Sequence, residues 1–181
     1  MNATAAIADI ETIFSQGLTG DAQFLNLLSI LGEAWTCDRV FLYLRDPLTA
    51  WGKVPYCWRA SEAIPDAWTP ELKAESPSLV AEDPMFAAAV QAQPSIFVED
   101  VETAAPLVVN REFERQNFGH RALIHGHLCQ DGQLWGILQA CTFHRPHPWS
   151  QADRELCDRV TAKLAPVVQA YVLREIRREW P

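Results

Sequence analysis

Residues 118–149 read FGHRALIHGHLCQDGQLWGILQACTFHRPHPW. Two apolar runs flank Asp131-Gly132, a dipeptide suited to the positive-φ positions of a two-residue turn. The stretch therefore predicts a β-hairpin. With Asp131 and Gly132 as the turn, Cys129 faces Leu134, His127 faces Gly136 and His125 faces Leu138. Strict alternation then puts Leu123, His125, His127, Cys129, Leu138 and Ala140 on one face. It puts His120, Ala122, Ile124, Leu128, Trp135, Ile137, Cys141 and Phe143 on the other. Both faces are largely apolar, so the hairpin is expected at the centre of a sheet covered on both sides. All five histidines and two of the five cysteines fall in this stretch, which makes it the first place to look for chemistry.

Upstream, Ile7, Ile10, Ile13 and Phe14 have helical spacing and end at Gly17, predicting an N-terminal helix over 3–16. Asp21 is the expected N-cap of a second helix to about Trp35, with Phe24, Leu27, Leu28 and Leu31 on its buried stripe. Val40–Leu44 and the alternating run around Tyr56 and Trp58 predict two strands. Residues 62–82, rich in Pro, Ser and Glu, read as a long connection. Asp83 then caps a short helix with Pro84 at its first position. Ser95–Val101 predicts a strand and Asn110–Asn117 a short helix. After the hairpin, Ser150 and Asp153 make a capping box. The helix they open, from Gln151 to Trp180, would be about 45 Å long at 1.5 Å per residue, and Pro166 is expected to kink or split it. The order predicts an α+β fold, an antiparallel sheet sandwiched between terminal helices and connecting helices and loops. The expected division is an N-terminal helix over 1–18 and one domain over 19–181.

The charge of −8 over 181 residues argues against non-specific nucleic-acid binding. From Glu62 to Glu114 eleven acidic residues face only Lys73 and Arg111. That flank is either solvated or a docking face for a basic protein partner. The five cysteines show no CxxC and no zinc or disulfide spacing, which suits small core residues in a reducing cytoplasm. The opening MNATAAIADIE does not have the basic start of a signal peptide, and no run is apolar enough for a membrane span. A cytoplasmic chain is the expectation. No nucleophile motif or glycine-rich phosphate loop stands in the sequence, so the chain is not expected to be an enzyme.

DRVFLYL, DPMFAAAVQAQPSIFVEDV, FGHRALIHGHL and LWGILQA together resemble a GAF domain over roughly residues 20–172. LWGILQACTFHRPHPW is similar, without a gap, to the L-W-G-L-L-I-A-H-x-x-x-x-P-R-x-W pattern of cyanobacteriochrome and phytochrome-like GAF domains. Leu134, Trp135, Gly136, Leu138, Ala140, Pro146 and Trp149 fall in register. Phe118, Arg121 and Ala122 match the F-x-V-R-A strand before it. In that bilin-binding family a Cys-His pair precedes this strand; here the matching positions are Asn110 and Arg111. No cysteine lies between Cys57 and Cys129, and Cys141 stands where the family carries a pocket histidine. The resemblance therefore implies a cyanobacterial-type signalling module without covalently attached bilin. The Asn-Lys-x-Phe-Asp-Glu signature of cyclic-nucleotide GAF domains and the cysteine arrangement of GAF-type methionine sulfoxide reductases are missing too.

The resemblance places His120, Ile124, Trp135, Ile137, Cys141 and Phe143 on the pocket side. His125, His127 and Cys129 are weak candidates for a metal, since two imidazoles and a thiol would share one strand face. No cofactor is assigned. The expected function is a non-catalytic, stand-alone regulatory or interaction module, homodimeric through its terminal helices. The alternative is a sensor that binds a small molecule, haem or bilin non-covalently in the pocket.

Overall fold

The computed structural model describes residues 3–18 and 20–179. The expected domain boundary at residue 19 and the expected helix end at Trp180 lie outside the described residues. Six strands form one sheet: β1 (Arg39–Asp46), β2 (Trp51–Arg59), β3 (Thr69–Ala74), β4 (Ile96–Val98), β5 (Ala122–Gln130) and β6 (Gln133–Thr142). Their order is β3-β2-β1-β6-β5-β4 and every pair is antiparallel. The α+β class follows, with the hairpin's second strand at the centre beside β1.

One face carries α1 (Ala3–Gln16), α2 (Asp21–Ala34) and α6 (Gln151–Tyr171). Phe24, Leu27, Leu28 and Leu31 of α2 recur at helical spacing and pack with Val40, Leu42 and Leu44, which alternate along β1. Ala6, Ile10 and Ile13 of α1 and Leu156, Val160, Leu164 and Val168 of α6 join the same core. The other face is covered by α3 (Leu79–Glu82), α4 (Pro84–Val90), α5 (Arg111–Asn117) and loops, over two smaller apolar clusters. No helix among the described residues is long and apolar enough to cross a membrane.

The tight turn is present. Asp131 and Gly132 both have positive φ, 54° and 74°, and Cys129 pairs with Leu134. One residue later the expected register fails. Trp135 is an extra residue on β6, so Leu128 pairs with Gly136, His127 with Ile137 and His125 with Gln139. This is a β-bulge, and it corrects the two-face division. Ile124, Leu128, Trp135, Leu138 and Ala140 belong to the helix-side core, while Leu123, Leu134, Ile137 and Cys141 belong to the opposite clusters. A second bulge lies on β2 between the pairs Leu42–Tyr56 and Leu44–Lys53, at Pro55, a residue with no N–H to give a ladder.

Other local expectations change as well. The connection 62–82 contains β3 and α3. Gly20, not Asp21, is the N-cap of α2; Asp21 is its first residue and accepts from the Tyr56 hydroxyl at 2.8 Å. Pro166 sits inside α6 without ending it. The helix type changes at Val172–Ile176, where one π-helical stretch keeps Val172 and Ile176 buried before a last turn at Arg177–Glu179.

Candidate functional site

A cavity of about 280 Å³ lies on the face away from the terminal helices. Its floor is the sheet: Phe41 and Tyr43 of β1, Val54 of β2, His125 of β5, Ile137 and Gln139 of β6. Leu79, Asp83, Met85 and Phe86 of the α3–α4 segment form one wall, and Glu114 and Phe118 of the α5 segment another. Lys53, Thr69, Glu71, Lys73 and Glu75 complete it along β2 and β3. The β1 residues reach it because Arg39, Phe41, Tyr43 and Arg45 alternate with the core residues Val40, Leu42 and Leu44. The lining is mainly apolar, with a few polar groups set into it, the usual make-up of a small-ligand site.

Three buried polar arrangements border the cavity. At one end, Arg45 grips Glu75 with two bonds of 2.5 and 2.9 Å, and the Tyr43 hydroxyl donates to the same carboxylate at 2.7 Å. A planar guanidinium and a carboxylate make this fork rigid. Burial and the Glu75 charge push the Tyr43 hydroxyl far above its ordinary value. The α4 wall is held by Asp83, whose side chain accepts from the Met85 N–H at 2.9 Å. Burial raises the Asp83 carboxyl to about 6; the N–H groups of Phe86 and Met85 oppose this and the Glu114 charge adds to it.

Behind Gln139 lies the third arrangement. Arg39 Nη2 is 2.7 Å from His120 Nε2, and Glu114 Oε1 is 2.5 Å from His120 Nδ1. Burial works against a charge on the ring, but the Cys141 sulfur and the Glu114 carboxylate push its pKa up to about 9. A guanidinium can only donate, so the Arg39 contact favours a lone pair on Nε2, while the Cys141 and Glu114 contacts favour a charged ring. The imidazole sits between a buried cation and a buried carboxylate, with the Gln139 amide 3.2 Å from Nδ1. Arg39 also lies between the Phe41 and Phe143 rings, 5.2 and 4.9 Å from their centroids, and its Nε has no acceptor. Glu114 Oε1 is ion-paired with the ring and has no other polar partner among the described residues.

Of the six residues assigned to the pocket side, Ile137 lines the cavity. His120, Cys141 and Phe143 are on the same face, in the cluster behind it. Ile124 and Trp135 lie across the sheet in the helix-side core. The bulge at Trp135 is the cause, since it reverses the parity of one strand against the other. Asn110 caps α5, accepting from the Phe113 N–H at 3.2 Å and donating to the Glu82 carbonyl at 2.9 Å. Arg111 donates to the Ala104 carbonyl at 2.9 Å, and neither residue lines the cavity.

His125 and His127 are tied to each other, Nδ1 to Nε2, at 2.9 Å. Cys129 points toward the Ala89 carbonyl at 3.8 Å. Among the described residues no group of three or more His, Cys, Asp or Glu side chains is placed to hold a metal ion. Burial pushes the Cys57 and Cys157 thiols up to about 11 and 12, which suits packing rather than nucleophilic attack. Sequence reasoning did not find Phe41, Tyr43, Asp83, Glu114 or Gln139. Phe41 and Tyr43 had a signal in the alternation of β1. Glu114 had none, since nothing in a polar helix marks the one carboxylate that turns inward.

Comparison with solved structures gives the same architecture. The phycocyanobilin-bound GAF domain of a cyanobacterial phytochrome superposes with a TM-score of 0.72 at 16% identity, over 97% of this chain and 98% of that one. The blue-light-absorbing form of the Thermosynechococcus elongatus PixJ GAF domain gives 0.63 at 19%, over 96% and 92%. Free methionine-R-sulfoxide reductase from Neisseria meningitidis, an enzyme, gives 0.67 at 18%, over 93% and 89%. At these identities the likeness is one of fold. No curated protein sequence matches this one significantly. The GAF domain family model matches residues 20–167, most of the chain. With that match and the sheet and helix layers described above, the chain belongs to the GAF domain family, a family of signalling and sensor modules.

Proposed function

We propose that this chain is a non-catalytic sensory module that binds a small molecule non-covalently between the sheet and the α3–α5 wall. The observation that carries the reading is the cavity itself: about 280 Å³, walled by Phe41, Val54, Met85, Phe86 and Ile137, with His125, Glu114 and Gln139 set among them. An ordinary core would fill this space with side chains. Its size suits a compact ligand at the lower end of the range for such sites. Solved relatives of the same fold hold a bilin in one case and a substrate in another, which supports a ligand here without naming it.

The test is a thermal-shift and native mass-spectrometry screen of small aromatic and heterocyclic compounds, haem and bilins. A ligand that raises the melting temperature of the chain and loses its effect in Ile137→Trp, which fills the cavity, supports the proposal. A screen in which no compound shifts the native chain sinks it in favour of a regulatory module acting through protein contacts. A homodimer through the terminal helices is a separate proposal. It rests on Leu25 of α2 and Leu173 of the C-terminal helical stretch, each 43% exposed. A scattering mass of twice 20.4 kDa supports it, and a chain that stays monomeric at micromolar concentration rejects it.

A further inference from the structure

We propose that His125 makes the cavity selective for ligands that donate a hydrogen bond, because a relay of two imidazoles ending on a backbone carbonyl holds its free nitrogen as an acceptor. This rests on the cavity being a ligand site and goes on to the chemistry of what enters.

The relay starts at Gln93. Its carbonyl oxygen lies 2.7 Å from His127 Nδ1 and can only accept, so the His127 proton is on Nδ1. His127 Nε2 is then a lone pair. It lies 2.9 Å from His125 Nδ1, which must therefore carry the His125 proton. The consequence is that His125 Nε2, which has no partner among the described residues, offers a lone pair on a ring that lines the cavity. Both rings have to be neutral for this. They are 3% and 7% exposed, and burial holds both below the ordinary imidazole range, with the neighbouring rings adding to this for His125. The hydrogen bond from the His127 N–H to Ser95 Oγ, 3.0 Å, fixes the strand at the relay.

A second observation points the same way. Glu114 is 1% exposed and lines the cavity, a buried carboxylate paired with the His120 ring at 2.5 Å whose charge favours donors over acceptors nearby. Asp83, also on the wall, is a further acceptor. A ligand that brings its own acceptor to His125 leaves its Nε2 unsatisfied, which costs more than a missing contact. The preferred occupant is a compact aromatic heterocycle with an N–H, neutral or cationic.

Indole and benzofuran test this, since they share an outline and differ by N–H against O. We expect indole to bind the full chain about tenfold more tightly, read from NMR titration. In His125→Leu the two should bind equally. In His127→Phe, where nothing fixes the His125 tautomer, the ratio should shrink. Imidazole ¹⁵N shifts at neutral pH should show His125 protonated at Nδ1 and bare at Nε2. The opposite tautomer overturns the proposal, as does an indole preference that survives His125→Leu. Equal binding of the two probes to the native chain overturns it and leaves the cavity standing as a ligand site. Binding of neither overturns the proposal too, while the broader screen decides whether the cavity takes a ligand at all.

Discussion

Asp83 does two jobs that conflict. As N-cap it needs an oxygen acceptor, and as a buried side chain it resists carrying charge. Its pKa rises from 3.8 to about 6. Between those values the folded chain binds the proton more tightly than the unfolded chain. Stability from this group is therefore greatest at low pH and is lost as pH rises through about 6. An asparagine at this position would keep the capping acceptor without the charge. Asp83→Asn should thus match the native chain near pH 4 and gain on it by roughly 1–3 kcal/mol at pH 8. Urea unfolding at the two pH values measures the difference, and parallel curves for both proteins reject the account. Asp83→Ala loses the cap and should cost about 1 kcal/mol at low pH, where the charge plays no part.

The elements show where packing overrules pattern. A Cβ on Gly32 of α2 would come within 2.1 Å of the Trp58 ring on β2. The helix approaches the sheet that closely only because residue 32 has no side chain. Gly32→Ala gains helix propensity of about 1 kcal/mol but has to displace an indole from the main core. Overpacking of this kind costs about 1–3 kcal/mol, so the expected result is a net loss of stability on denaturant unfolding. A variant as stable as the native chain would mean that Trp58 moves freely. The same scale explains what could be read in the sequence. The α2 stripe, the Asp131-Gly132 turn and the Ser150–Asp153 box were all legible, because each depends on neighbours within one turn or one strand. The bulge at Trp135 was not. Both faces of the hairpin are apolar, so an extra residue leaves no break in any alternation. One trace did exist: the observed register pairs His125 with Gln139, two buried polar side chains. β3 was missed because an edge strand needs only one partner, and TPELKA carries charge and proline in place of an apolar row.

For the whole molecule, the sheet separates two tasks. The side of α1, α2 and α6 holds the main core, while the opposite side leaves space. The terminal segments belong to the first task. Arg177 reaches back to Asp46 at the end of β1 with bonds of 2.8 and 3.2 Å. Burial opposes the Asp46 charge, but the Arg177 bond holds its carboxyl below the ordinary range. At the other end, Ala6, Ile10 and Ile13 of α1 are buried against the helical layer, and Glu11 pairs with Lys163 of α6. The family match begins at residue 20, yet the core does not. Deleting residues 1–19 exposes the surfaces of α2 and α6 that α1 covers. Burial of a large aliphatic side chain contributes about 1.5–3 kcal/mol. With Ile10 and Ile13 lost, the shortened chain should be less stable by roughly 3–6 kcal/mol, an upper range because unfolded chains are themselves partly compact. The uncovered apolar strip should also drive association, so light scattering of the shortened chain should give a larger mass than the full chain at equal concentration. Unchanged stability and mass would show that α1 is an appendage. Loss of both stability and solubility, together with an intact response of the full chain to its ligand, would place the helix layer as the rigid support on which the cavity side is built.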